Sequence, residues 1–124
     1  ALFILVHLFG HTVQWNLSER GRTLGVQQPD PHLSAERMAE LYRYEREAAE
    51  LSLSLFHEAG VHDCDQWLAD FFHCDWSYLV HFYKTAEKRP FKGFWQVGTE
   101  ALTPAPIPAF TPERWRTRWD GIVV

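Results

Sequence analysis

The stretch SAERMAELYRYEREAAELSLSLFHEAG, residues 34–60, decides the fold class of this chain. It begins with Ser34, a residue type that caps helix N-termini, and runs without a breaker to Gly60, a residue type that follows helix C-termini. Its apolar residues recur at helical spacing. One face of the predicted helix is formed by Met38, Leu41, Ala48, Ala49, Leu55 and Phe56. We therefore predict a long amphipathic helix at the centre of a mainly α fold.

A second helix is predicted at the start of the chain. Residues 2–16 are apolar nearly all round, with Gly10 as the only small interruption, which is typical of a helix buried on most sides. A strand that leads into a shorter helix would share this periodicity. On a helix, His7 and His11 lie one turn apart on one face, so both can point at a single ion.

A zinc site needs at least a third protein ligand, and we expect it from the long helix. The segment YEREAAELSLSLF contains three glutamates, and Glu45 and Glu47 are the candidates for the ligand. A projection at 100° per residue places Glu45 near the middle of the apolar face and Glu47 at its edge. The projection alone nominates Glu45 as the inward carboxylate.

The connecting segments are less regular. We predict a loop over residues 17–32, with a short extended piece at 23–27, because the composition turns polar. Its punctuating residues are Gly21, Gly25, Pro29 and Pro31. Two shorter helices are predicted at 65–73 and 75–88, since each segment opens with an Asp able to cap and carries apolar residues at helical spacing.

After Pro90 the helical signals fade, and the chain becomes rich in Pro and Gly. We expect an ordered arm, with a short helix restarting over 111–119. Its predicted anchors are Phe94, Trp95 and Ile107. We therefore predict one domain over 1–124, in which a helical core, 1–89, is covered by an irregular Pro/Gly-rich C-terminal arm, 90–124.

The pairing of H-x-x-G-H on a buried helix with E-x-E-A on a later helix resembles the zincin-like metallopeptidases, and most closely those of the ImmA/IrrE type. Members of that group carry H-E-x-G-H and then a helix that reads roughly E-A-N-x-F-A. The resemblance covers about residues 3–56. It implies a zincin-like helical core that binds zinc, with His7, His11 and Glu47 as the metal ligands and Gly10 as the glycine of the motif.

The chain departs from that pattern in three places. Leu8 stands where the family has its glutamate, the general base that activates the zinc-bound water. Ala49 replaces the expected Asn, and no segment before Ala1 supplies the small sheet of these domains, so the resemblance implies a fragment or a reduced relative. The chain is then a degenerate or altered metallohydrolase whose status as an enzyme is open. By chemistry alone, Glu45 and Glu58 are candidates for a substitute base.

A different class of function fits the same residues. The chain can be a non-enzymatic interaction or regulatory module that binds no metal. In that case the helical core keeps its zincin-like shape, and a protein or peptide partner binds through the Pro-rich arm.

Composition excludes several other classes. A formal net charge of −4 and a pI of about 5.9 provide no sequence-wide attraction to nucleic acid or anionic lipid, so we expect neither as a partner. The apolar opening reaches His7 well short of the roughly 20 residues that a membrane span needs. Two cysteines, Cys64 and Cys74, form no disulfide framework and favour a reducing compartment, which predicts a cytoplasmic protein.

Other motif-like stretches receive simpler interpretations. The histidines of HEAGVH, 57–62, are five apart with Gly60 between them, so we expect a helix terminus rather than a metal site. HDCD at 62–65 and HCD at 73–75 are interpreted as capping aspartates with buried thiols, and rank second as a metal site. In RWRTRW, 114–119, we expect the Trp residues to anchor the arm.

Overall fold

The computed structural model describes residues 2–112, and within them the fold is mainly α, as predicted. The helices are α1, Leu2–Leu17; α2, Glu19–Gly25; α3, Ala35–Glu58; and α4, Asp65–Thr85. A short 3-10 helix, Phe91–Phe94, begins the C-terminal arm. No helix of the described part is long and apolar enough to cross a membrane.

Helix α3 is the centre of the packing, in contact with each of the other three helices. It begins and ends where its sequence predicts. The Ser34 side chain accepts a hydrogen bond from the Arg37 backbone N–H at 3.1 Å, and Gly60 adopts a positive φ of 79° just after the helix. Local capping chemistry therefore determines both ends of α3.

Helices α1 and α3 cross in close contact at Gly10. A Cβ added there would lie 2.2 Å from the Ala48 carbonyl oxygen and 2.6 Å from the Ala48 Cα, so only glycine permits this approach. The buried Ser52 hydroxyl is 2.7 Å from the Val6 carbonyl oxygen and 2.7 Å from that of Ala48. The crossing brings the two histidines of α1 against the middle of α3.

Two apolar clusters lie on either side of this crossing. The first is formed by Phe3, Ala49, Leu53, Leu68, Ala69, Phe72 and Leu102. The second is formed by Leu24, Leu41, Tyr44 and Tyr83. We call the zone between them the seam. The polar residues of the candidate site lie there, enclosed by apolar packing at both ends.

The prediction of a loop over 17–32 is wrong in part, because it contains α2. Ser18 caps this helix by accepting a hydrogen bond from the Gly21 backbone N–H at 3.2 Å. A Cβ on Gly21 would lie 3.1 Å from the Gln14 carbonyl oxygen. This glycine permits close packing on α1 and does not break the helix.

The prediction of two helices over 65–88 is also wrong, because α4 runs without interruption from Asp65 to Thr85. No Pro or Gly separates the two predicted segments, so nothing stops the helical hydrogen bonding at His73 or Cys74. Asp75 therefore lies inside a helix and does not cap one.

The arm is held by contacts with α3 and α4. Leu102 is buried in the first cluster, and the Ala105 backbone N–H donates to the Glu50 carbonyl at 3.2 Å. Trp95 is a weaker anchor than predicted, since it is 44% exposed and touches Phe71 edge-on, with ring centroids 4.8 Å apart. Most of the predicted helix at 111–119, with its RWRTRW motif, lies outside the described residues.

Candidate metal centre

Three potential ligand atoms converge at the α1–α3 crossing. His7 Nε2 and His11 Nε2 lie 2.9 Å and 3.2 Å from Glu45 Oε2, and the two nitrogens lie 3.1 Å from each other. All three residues are buried, with exposed fractions of 7%, 8% and 6%. Their ligand atoms all lie within 4.8 Å of one another. Among residues 2–112, no other group of three or more His, Cys, Asp or Glu has its ligand atoms so close together.

These separations are close to those of a tetrahedral metal site. Zinc binds imidazole nitrogen and carboxylate oxygen at about 2.0–2.1 Å, so two ligand atoms at tetrahedral angles are about 3.3 Å apart. The three measured separations run from 2.9 to 3.2 Å. The three atoms therefore have nearly the mutual spacing of three corners of such a tetrahedron.

Gln14 determines the tautomer of His11. Its amide nitrogen donates to two acceptors, the Tyr44 carbonyl at 2.9 Å and Glu47 Oε1 at 2.8 Å. Its amide oxygen is therefore the acceptor for His11 Nδ1–H, at 2.9 Å. In the neutral ring, the Nε2 lone pair of His11 then faces Glu45 and His7. Metal-binding histidines are typically held in this way by a partner on the other ring nitrogen.

The electrostatics of the site favour a cation beside Glu45. Burial raises the pKa of Glu45, but the hydrogen bonds with His11 and His7 outweigh that effect and hold the pKa at about 2. The carboxylate is therefore ionised inside the protein, where an unpaired charge is very unfavourable. The lone pair of neutral His11 also faces this carboxylate, and either the Nε2–H of His7 or a metal ion would make this contact attractive.

Aromatic stacking holds both imidazole rings in place. The His11 ring stacks on Trp15 with an interplanar angle of 7° and on Tyr44 with ring centroids 4.6 Å apart. The His7 ring stacks on Phe3 at 5.2 Å. His7 Nδ1 is buried and has no hydrogen-bond partner in the described part of the chain. One polar atom of the site is therefore unsatisfied while its ring is firmly positioned.

The structure brings His7 and His11 together with Glu45 and not with Glu47. Glu47 is exposed, and it contacts the site only through the amide nitrogen of Gln14. The helical projection contained the signal for Glu45, whereas the family pattern pointed to Glu47. Sequence reasoning missed Gln14, although its position three residues after His11 places it on the same helical face.

The two candidates for a substitute base lie at very different distances from the site. Glu45 itself belongs to the group of three ligand atoms. Glu58 is exposed at the end of α3, thirteen residues and so about 20 Å along the helix from Glu45. Leu8 is half-buried, and its side chain has no group that could accept a proton from water. Within residues 2–112, Glu58 is too distant to act as the base.

The second-ranked motifs do not assemble into a metal site in the described part. Cys64 and Cys74 are both free thiols, and His73 Nδ1 bonds the Ala69 carbonyl at 2.9 Å. The predicted helix terminus at HEAGVH is confirmed, since α3 ends at Glu58 and Gly60 has a positive φ of 79°. The rings of His57 and His62 lie 4.6 Å apart across this turn. The partner of His57 is Asp65, at 2.8 Å.

Comparisons with known proteins found no relative of this chain. No family model matches the chain, and neither a curated protein nor a solved structure does. The resemblance to zincin-like metallopeptidases therefore stays a prediction from short motifs, and the geometry of the site has to carry the argument about function.

Two cavities of the described part are not lined by the proposed ligands. One, of about 420 Å³, is a half-open pocket between α1, α2, α3 and the arm, and it reaches Gln14 and Glu47. The other, of about 570 Å³, is an open groove between the start of α3 and α4. His7, His11 and Glu45 line neither of them.

Proposed function

We propose that this chain is a divalent-metal-binding helical domain in which His7, His11 and Glu45 hold one ion. The convergence of three buried ligand atoms to within 3.2 Å of one another carries the proposal. Two imidazole nitrogens and one carboxylate oxygen are a donor set that favours zinc among the common divalent metals. The ion would also pair with the ionised carboxylate of Glu45.

The ion in this proposal is structural, and hydrolysis is weak or absent. Catalytic zinc keeps one coordination position open to water and substrate. Here each ligand is less than one tenth exposed, and neither described cavity reaches the three residues. Leu8 also leaves the site without the base of zincin-like enzymes. These observations support a degenerate relative of such hydrolases, in which the ion fastens α1 to α3.

A metal-free interaction module is the second candidate. It is supported by the apolar residues that the arm exposes, since Trp95 is 44% and Val97 75% exposed. Exposed large apolar side chains mark surfaces that partners cover when they form a contiguous patch. In this alternative a proton shared among His7, His11 and Glu45 takes the place of the ion.

Metal content distinguishes the two candidates. The protein is purified without chelator and without immobilised nickel, and its zinc is measured by elemental analysis beside two variants. His11→Ala removes a proposed ligand, and His62→Ala is the matched control, because His62 is exposed and outside the group of ligand atoms. We expect about one zinc per chain in the parent and in His62→Ala, and none in His11→Ala.

The circular dichroism spectrum of each protein shows whether it is helical when the metal is counted. A parent protein that is helical and holds no zinc, even after dialysis against a zinc salt, would overturn the metal proposal. That result would favour the interaction module.

A further inference from the structure

Asp75 lies on α4 at the level of the seam. Phe72, three residues before it, packs in the first apolar cluster, and Leu79, four residues after it, packs against the second. Residues at these spacings share one helical face, so Asp75 occupies the position between the clusters.

The proposed ligands occupy the same level on the other two helices. His7 follows Phe3 of the first cluster by one turn, and Glu45 lies between Leu41 of the second cluster and Ala49 of the first. Three helices therefore each bring ionisable side chains to the seam: two histidines on α1, a glutamate on α3 and an aspartate on α4.

The Asp75 carboxylate is partly buried and makes no hydrogen bond or ion pair with another residue of the described chain. Burial raises its pKa, the Glu45 carboxylate raises it further, and His7 opposes them, with the result at about 6. Both Glu45 and His7 therefore lie near enough to act on Asp75. Two carboxylates that share an apolar interior repel each other unless a cation lies between them.

We propose that Asp75 is the fourth ligand of the ion and completes a site of two histidines and two carboxylates that ties α1, α3 and α4 together. This inference rests on the proposed function. His7, His11 and Glu45 account for three corners of the tetrahedron, and Asp75 is the carboxylate that α4 places at the same level.

Charge balance supports the fourth ligand. Two carboxylates neutralise a divalent cation, and neutral imidazoles add no charge, so the completed site has no net charge to bury. With Glu45 alone, the site would keep one positive charge in the interior, beside an unpaired Asp75.

Coordination requires one local movement. The Asp75 oxygens lie outside the group of ligand atoms that are all within 4.8 Å of one another. The Asp75 side chain would therefore have to change its rotamer, or α4 shift slightly, for an oxygen to reach the ion. A site closed by four protein ligands keeps no position for water, which makes the ion structural and not catalytic.

Cobalt(II) provides the test, because its visible absorption reports the number and kind of its ligands. Metal-free protein is prepared by dialysis against chelator and titrated with Co²⁺, and zinc affinity is measured by competition with a chromophoric chelator. Asp75→Asn removes the charged ligand with almost no change of shape, and Asp63→Asn is the matched control at an exposed aspartate. Asp75→His keeps a ligand atom but replaces oxygen by nitrogen.

We expect Asp75→Asn to weaken zinc binding by about 100-fold or more and to change the cobalt spectrum, while Asp63→Asn does neither. Loss of an outer partner already weakens binding by about 10–100-fold, and loss of a ligand should weaken it at least as much. Asp75→His should bind cobalt with a spectrum shifted toward nitrogen ligation. This last measurement keeps the test decisive if Asp75→Asn fails to fold.

Three results would overturn the assignment. Unchanged affinity and spectrum in Asp75→Asn would remove Asp75 from the site and leave the three-residue metal site intact. Weaker binding with an unchanged spectrum in both Asp75 variants would make Asp75 a positioning residue for His7. A folded parent protein that binds neither zinc nor cobalt would overturn the proposed function itself.

Discussion

Glu45 and Asp70 are both buried carboxylates, and their surroundings differ in kind. Asp70 accepts hydrogen bonds from the Thr99 backbone N–H at 2.9 Å, the Thr99 hydroxyl at 2.8 Å, the Gln66 amide at 2.9 Å and the Gly98 N–H at 3.3 Å. All of these donors are neutral and carry their proton at any ordinary pH. Glu45 is contacted instead by two histidine nitrogens, and whether each one donates depends on the tautomer and charge of its ring.

This difference indicates which buried carboxylate needs an ion. Burial raises the pKa of Asp70, but its four donors outweigh that effect and lower it, so this site is complete as it stands. At the site around Glu45, the lone pair of neutral His11 faces the carboxylate, and a metal ion would bind both. A buried acidic residue therefore indicates a possible metal site when the groups that could donate hydrogen bonds to it are themselves titratable.

The largest expected effect is that of Gly10→Ala, which should damage the Glu45 region and spare the Asp70 region. The added methyl group would lie 2.2 Å from the Ala48 carbonyl oxygen, a backbone atom that cannot move aside by itself. We expect the free energy of unfolding to fall by about 3 kcal/mol, the upper end for overpacking. Denaturant unfolding followed by circular dichroism measures it.

Gly93→Ala is the matched control for that substitution, since a Cβ on Gly93 would meet no atom within 4 Å. Its effect should stay within about 0.5 kcal/mol. Equal losses in the two variants would contradict the close α1–α3 crossing.

Glu45→Gln and Glu47→Gln form the sharpest pair for the ligand assignment, since they make the same change two residues apart on one helix. Glu45→Gln removes a ligand, and we expect zinc affinity to fall by more than about 100-fold. Glu47→Gln acts only through Gln14, so its loss should stay below about tenfold. Competition with a chromophoric chelator measures the zinc affinity of both variants. A larger loss in Glu47→Gln than in Glu45→Gln would make Glu47 the ligand.

Asp70→Asn should loosen the arm while leaving metal binding unchanged. An amide cannot accept all four hydrogen bonds, so we expect a loss of about 1–2 kcal/mol in the free energy of unfolding. Because the pKa of Asp70 is lowered, its contribution is present above the unfolded pKa of about 3.9 and is lost as the pH falls below it. Unfolding curves at pH 7 and pH 3, with Asp63→Asn as control, should show a smaller difference between variant and parent at pH 3.

The smallest predicted effect concerns Asp75 in metal-free protein. Its pKa is raised to about 6, so between about pH 4 and pH 6 the folded state holds a proton that the unfolded state has released. Stability should therefore fall as the pH rises through this window, by on the order of 1 kcal/mol. Glu45, with a pKa of about 2, adds stability as the pH rises to about 5, so the decline caused by Asp75 is clearest between about pH 5 and pH 6. Asp75→Asn should flatten the profile, and an unaltered decline would show that another group causes it.

Features that depend on neighbouring residues in the chain could be predicted from the sequence. Helix α3 has its own cap at Ser34 and its own terminator at Gly60, and α1 is apolar enough to be helical in almost any packing. The proximity of His7 and His11 follows from helical spacing alone. These elements were predicted with nearly the observed bounds.

Features that depend on packing between helices could not be predicted in the same way. Gly21 was interpreted as a breaker, and only the approach of α2 to Gln14 reveals its role. The motif pointed to Glu47 because a short pattern contains no information on how far α3 is rotated about its axis. The sequence indicates Asp75 as a cap or as part of a second, separate metal motif, because its place at the seam depends on the continuity of α4.

His7 and Glu45 are 38 positions apart along the chain. An ion that joins them acts as a cross-link, and closing a loop of that length by a cross-link contributes about 4 kcal/mol in the chain-entropy model. Both cysteines are free thiols, so reducing agents break no bond between them. A domain fastened in this way would withstand reductants and yield to chelators, and its abundance in a cell would follow the supply of zinc.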